Sequence, residues 1–158
     1  LANGGTLYVP QIVDSIRDAD GAVVEEFPPQ VRSQLDFPEE HLRIINEGLW
    51  GAVNAQNGTA YDARIVGGVE MAGKTGTAEV STGHRRIDVD ANRAWYFNRS
   101  HAWFAGYAPV SNPEVAIVVL VEHGGSGGRA AAPIGTRVLE EYLGGRGEAV
   151  TASAAGYH

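Results

Sequence analysis

Leu42, Ile45, Leu49 and Val53 recur at three- and four-residue intervals behind Pro38-Glu39-Glu40. That spacing places apolar side chains on one face of a helix, and proline followed by acidic residues suits a first turn. A helix is predicted from Pro38 to about Asn54, stopping at Asn57-Gly58. A second face, Ile134, Val138, Leu139, Tyr142 and Leu143, predicts a helix over 130–143 with Pro133 in its permissive first turn.

Between them the period changes. Val115 to Val121 shows no polar alternation, which predicts a strand buried on both faces in the middle of a sheet. His101 to Ala108 reads as another strand, joined to it by Pro109-Val110-Ser111-Asn112-Pro113. Residues 69–80 carry too much Gly and Thr for a stable helix and are predicted to be extended. Near the start, a β-prone stretch from Thr6 to Ile16 leads through Asp18-Ala19-Asp20-Gly21 to Val23-Val24, a hairpin signal that Pro28-Pro29 then interrupts. Three strands joined by short turns between helices predict an antiparallel sheet with helical cover. Leu1-Ala2-Asn3-Gly4-Gly5 reads as a last helical turn closed by a glycine cap, as expected of a segment drawn from a longer chain. Residues 144–158 are small and polar and are expected to form a flexible tail.

Composition narrows the possible functions. With 44% hydrophobic residues in 158, a globular core is expected without disulfides, and the sequence contains no cysteine. A formal charge of -7 argues against nucleic acid, whose recognition needs a basic surface. The five histidines show no metal-ligand spacing.

Lys74 is the only lysine among twelve basic residues, and two motifs compete for it. Gly68 to Thr75 matches the spacing of a phosphate-binding loop. That chemistry requires a preceding strand and a following helix aimed at the phosphates, whereas Gly76, Thr77 and Ala78 lead into a polar loop. The alternative is a Lys-Thr-Gly strand lining a cleft. There a lysine supplies fixed charge, a threonine hydroxyl binds a carboxylate, and a glycine admits a peptide close to the backbone.

A longer series of segments carries a more specific signal. Asn57-Gly58-Thr59-Ala60, Ala72 to Val80, His101 to Pro109, Asn112 to Ala116 and Val121-Glu122-His123-Gly124-Gly125 stand in the order and approximate spacing of class B penicillin-binding proteins. The chain resembles the cell-elongation branch of that family over nearly all of residues 1–143. The resemblance implies an α/β fold of the α+β type: a serine β-lactamase/transpeptidase-like fold, incomplete here, with antiparallel strands and flanking helices.

It further implies a D,D-transpeptidase that works by serine acyl transfer on D-Ala-D-Ala stem peptides of peptidoglycan, with β-lactams acylating the same serine and no cofactor. Lys74 would support carboxylate binding and proton transfer, Thr75 would hydrogen-bond the carboxylate, Gly76 would keep the strand open, and Thr77 would offer an oxyanion N–H. Expected partners are stem peptides, β-lactams and, through the parent protein, other cell-wall elongation proteins. The parent is expected at the outer face of the cytoplasmic membrane, held by an N-terminal anchor that this segment does not contain. Neither Ser-x-x-Lys nor Ser-x-Asn occurs, and Met71 stands three residues before Lys74. The segment alone is therefore expected to be inactive, and, with the first two strands of the family sheet preceding it, Val115 to Val121 is expected to present an open apolar edge prone to aggregation. A penicillin-sensing or pseudo-enzymatic domain of the same fold is the alternative that these residues leave open.

Overall fold

The computed structural model describes residues 1–66, 68–80, 96 and 98–154, with side chains up to residue 144. It divides into two compact units, Leu1–Ile44 and Ile45–His158.

The first unit contains two antiparallel ladders. Strand β1 (Thr6–Tyr8) pairs with β4 (Val31–Gln34), and β2 (Ser15–Arg17) pairs with β3 (Val23–Glu26). The predicted hairpin is β2–β3: the Asp18 side chain accepts the N–H groups of Asp20 and Ala22, and Gly21 takes the positive φ of 84° that the turn demands. Strand β4 has no counterpart in the sequence reading. Its single apolar residue carries no period, and it is held by pairing with a segment 28 residues earlier, helped by the Thr6 hydroxyl donating to Gln34 Oε1 at 2.7 Å. Gly5 is the only buried residue of this unit.

Helix α1 (Glu39–Asn54) begins behind Pro38 as predicted, but its inward positions are Leu42, Asn46, Leu49 and Val53, while Ile45 is exposed. In the second unit, a short 3-10 turn (Tyr61–Ala63) leads to β5 (Ala72–Ala78), β6 (His101–Ala108) and β7 (Val115–Val121), an antiparallel sheet in the order β5-β6-β7. A π-turn (Gly127–Ala131) then enters helix α2 (Ala132–Ala154), which packs on β6 and β7.

Three expectations are corrected. Strand β7 is not buried on both faces in mid-sheet as its apolar run predicts: among the described residues it lies at one side of the three-stranded sheet, the open edge that the family resemblance implied, and only alternate positions are covered, with Val118 66% exposed and Leu120 45%. An all-apolar run does not by itself show what covers its second face. Helix α2 does not end near Leu143 but continues to Ala154, because Gly144-Gly145 weakens a helix without removing an N–H as proline would. Its inward face is also different, with Ala132, Gly135, Thr136 and Leu139 buried and Ile134, Val138 and Tyr142 outside.

The small inward residues let α2 approach the sheet closely. Phe104 on β6 is fully buried, and a Cβ added at Gly73, Gly106 or Gly135 would lie 2.6, 2.9 and 2.9 Å from its ring atoms. Three glycines thus frame one ring. Around it gather Val53, Ala60, Ala63, Met71, Ala102, Ala108 and Leu139. The buried Thr136 hydroxyl is satisfied by the carbonyls of Ala63 and Ala132, tying the 3-10 turn to α2. Among the described residues no helix is long and apolar enough to cross a membrane.

Candidate active-site strand

Gly73 to Ala78 form an extended strand paired antiparallel with β6, Lys74 opposite Ala105 and Thr77 opposite Ala102. This geometry removes the phosphate-loop alternative, since Lys74 sits mid-strand in an antiparallel sheet and heads no helix. Strand β5 lies at the other side of the sheet from β7 among the described residues, so alternate backbone groups on it face away from β6. Gly73 is required by the Phe104 ring beneath it. Gly76 has Trp103 beside it, where a Cβ would come to 3.2 Å from the Trp103 Cβ.

Side chains alternate across this strand. Lys74 is exposed on the face away from α2, and its Nζ donates to the Thr75 carbonyl at 2.7 Å. Thr75 is half-buried on the opposite face, and its hydroxyl donates to Thr59 Oγ1 at 2.8 Å. Thr77 is exposed. Of the aromatic residues on β6, Phe104 is buried toward α2, while Trp103 and Tyr107 belong to the other face. Tyr107 donates to Asn46 Oδ1 at 3.0 Å, and burial raises its phenol above the ordinary value of 10.0.

The structure adds residues that the sequence reading did not assign to the site. Thr59 reaches Thr75 from the turn after α1, where the N–H of Gly58 donates to the Ala55 carbonyl at 2.8 Å and that of Ala60 to the Ala52 carbonyl at 2.9 Å. The glycine-rich segment lies over the same strand: a Cβ on Gly127 would strike the Trp103 carbonyl and come to 2.5 Å from that of Gly76. A Cβ on Gly128 would strike the Thr59 carbonyl. Asn57-Gly58-Thr59 reads in sequence as a helix stop and as one of the segments shared with the family, but neither reading places Thr59 beside Thr75.

At the end of β6 the N–H of His123 donates to His101 Nδ1 at 2.9 Å, and His123 Nδ1 lies 3.1 Å from the Arg99 carbonyl. A carbonyl only accepts, so that nitrogen carries the proton. His123 holds a positive φ of 52°, and Arg99 Nη2 donates to the Gly124 carbonyl at 3.0 Å, closing the corner where β7 enters the glycine-rich segment. Among the described residues no group of three His, Cys, Asp or Glu side chains is placed to hold a metal ion. Arg85, Arg86 and Arg93 lie outside the described residues. Met71, where a Ser-x-x-Lys box would place its serine, is buried in the core.

The Lys-Thr-Gly strand thus lies at one side of the described sheet, with a glycine-rich segment across it and helix α2 packed on the neighbouring strands. Residues 1–140 match the penicillin binding protein transpeptidase domain family, and the chain belongs to it. It is 31% identical over 145 residues to the peptidoglycan D,D-transpeptidase MrdA of Haemophilus influenzae, covering 90% of this chain and 22% of that protein. Among solved structures it is similar to penicillin-binding protein A from M. tuberculosis in its ceftriaxone acyl-enzyme complex. The TM-score there is 0.68 at 31% identity, covering 88% of this chain and 29% of that one. The Helicobacter pylori PBP2 in complex with MreC is also similar, with TM-score 0.57 and 30% identity over 79% of this chain and 21% of that one. The chain thus spans less than a third of the length of each of these relatives.

Proposed function

We propose that this chain provides the Lys-Thr-Gly wall of a peptidoglycan D,D-transpeptidase that acts by serine acyl transfer on D-Ala-D-Ala stem peptides and is acylated by β-lactams. The observation that carries this function is the exposed β5 strand, with the Lys74 ammonium on one face, the Thr75 hydroxyl on the other and glycine at 76. In this role Lys74 contributes positive charge to carboxylate binding and proton transfer, and Thr75 hydrogen-bonds the carboxylate. Gly76 keeps the strand accessible to a peptide backbone, and the Thr77 N–H stabilises the developing oxyanion, a kind of donor worth roughly 2.7–4 kcal/mol in the transition state.

The nucleophile and its base are not among these residues, since neither Ser-x-x-Lys nor Ser-x-Asn occurs. The chain by itself is therefore inactive, and the reaction belongs to the protein that joins it to those motifs. The similarity to an MreC-bound relative supports partners in cell-wall elongation. Transpeptidation then takes place on the outer side of the cytoplasmic membrane, where the peptidoglycan is.

The test is covalent labelling by a fluorescent penicillin, read by intact-protein mass spectrometry. The 158-residue chain should show no adduct, and the full-length protein bearing it should show one. Lys74→Ala should slow that acylation by about ten- to a hundredfold, the scale of losing a hydrogen bond to a charged group. An adduct on the isolated chain, or full-speed labelling of Lys74→Ala, would refute the proposal.

A further inference from the structure

The Thr75 hydroxyl is already engaged. Its oxygen lies 2.8 Å from Thr59 Oγ1, and each threonine hydroxyl has one proton to give and can turn it either way. A carboxylate accepts only, so a Thr75 proton directed at Thr59 cannot bind one. Beside a carboxylate only one order serves: Thr59 donates to Thr75 Oγ1, and Thr75 donates to the anion. Rotation about two C–O bonds accomplishes this without moving a heavy atom.

Thr59 is well fixed for such a task. A Cβ at Gly58 would lie 2.5 Å from the Ala52 carbonyl oxygen and 2.6 Å from that of Gly51, so the turn rests directly on the end of α1. On its other side Gly128 leaves no room between the Thr59 carbonyl and the Thr75 methyl, 3.7 Å from the Gly128 Cβ position. Two close glycine contacts therefore fix the Thr59 backbone beside Thr75.

Resting on the transpeptidase function proposed above, we infer that Thr59 is a positioning residue for carboxylate recognition. With a carboxylate bound it donates to Thr75 Oγ1, which leaves the Thr75 proton aimed at the anion in a charge-assisted bond. The second hydroxyl also spares Thr75 Oγ1 an unmet acceptor when the ligand covers it.

The experiment compares acylation of the full-length protein by a penicillin and by the methyl ester of the same penicillin. Thr59→Val should lower the second-order rate constant for the free acid roughly three- to tenfold, the scale of one lost hydrogen bond, and leave that for the ester unchanged. Thr59→Ser should restore the acid rate. Should Thr59→Val fail to fold, Thr59→Ala reads the same acid-to-ester ratio. Equal losses on both probes, no loss on either, or failure of Thr59→Ser to restore the rate would overturn the role of Thr59.

Thr75→Val separates the two levels, since it should remove the preference for the acid outright. If it does so while Thr59 variants behave as wild type, only the role of Thr59 fails. If Thr75→Val keeps the preference, or the wild type is not acylated, the proposed function fails and the role of Thr59 with it.

Discussion

Phe104 of β6 and Gly135 of α2 are in direct contact across the sheet-helix interface: a Cβ on the glycine would stand 2.9 Å from Phe104 Cδ1 and 3.2 Å from Cε1. The ring cannot retreat, because Gly73 and Gly106 hold it equally closely from the sheet side. Gly135→Ala should therefore destabilise the domain by about 1–3 kcal/mol through overpacking, outweighing the roughly 1 kcal/mol that alanine adds to a helix. Urea unfolding monitored by circular dichroism measures the difference, and an alanine variant as stable as wild type or more so would show that the interface has slack.

Tyr107 links the sheet to α1 through its bond to Asn46. Tyr107→Phe should cost about 0.5–1.5 kcal/mol at neutral pH. The buried phenol titrates above 10.0 in the folded chain, so the unfolded chain gives up its proton first as pH rises. Stability should then fall from about pH 10 upward. Thermal melts between pH 8 and 11 should show a shallower alkaline decline for Tyr107→Phe, and identical slopes would remove the tyrosine as its cause.

Val118, 66% exposed on β7, lies at an open side of the sheet among the described residues. An apolar strand in that position favours edge-to-edge association. Val118→Lys should reduce concentration-dependent self-association of the 158-residue chain in sedimentation velocity and change its stability by less than about 0.5 kcal/mol. A wild-type chain that stays monomeric at high concentration would contradict this.

Much of this architecture was legible locally. The Pro38-Glu39-Glu40 start, the Asp18–Gly21 turn and the strand at His101–Ala108 each depend on neighbours in sequence, and each appears at the predicted place. The Lys-Thr-Gly segment was readable as extended, because glycine and threonine make a poor helix. Strand β4 and the covered face of α2 were not, since one depends on pairing with a distant strand and the other on how near the sheet comes.

The order and type of the central strands and helices, the lone lysine of the site and the absence of Ser-x-x-Lys were determined by the amino-acid sequence itself, because propensity, turn chemistry and motif spacing act within a few residues. Only the tertiary structure decided that Thr59 meets Thr75, that Gly127 and Gly128 lie over the Gly76 strand, and that α2 turns Gly135 and Thr136 inward instead of Ile134 and Val138. The reason is close packing: where a phenylalanine ring fills the gap between helix and sheet, the contact goes to the smallest side chains, and hydrophobic period alone cannot foresee that preference.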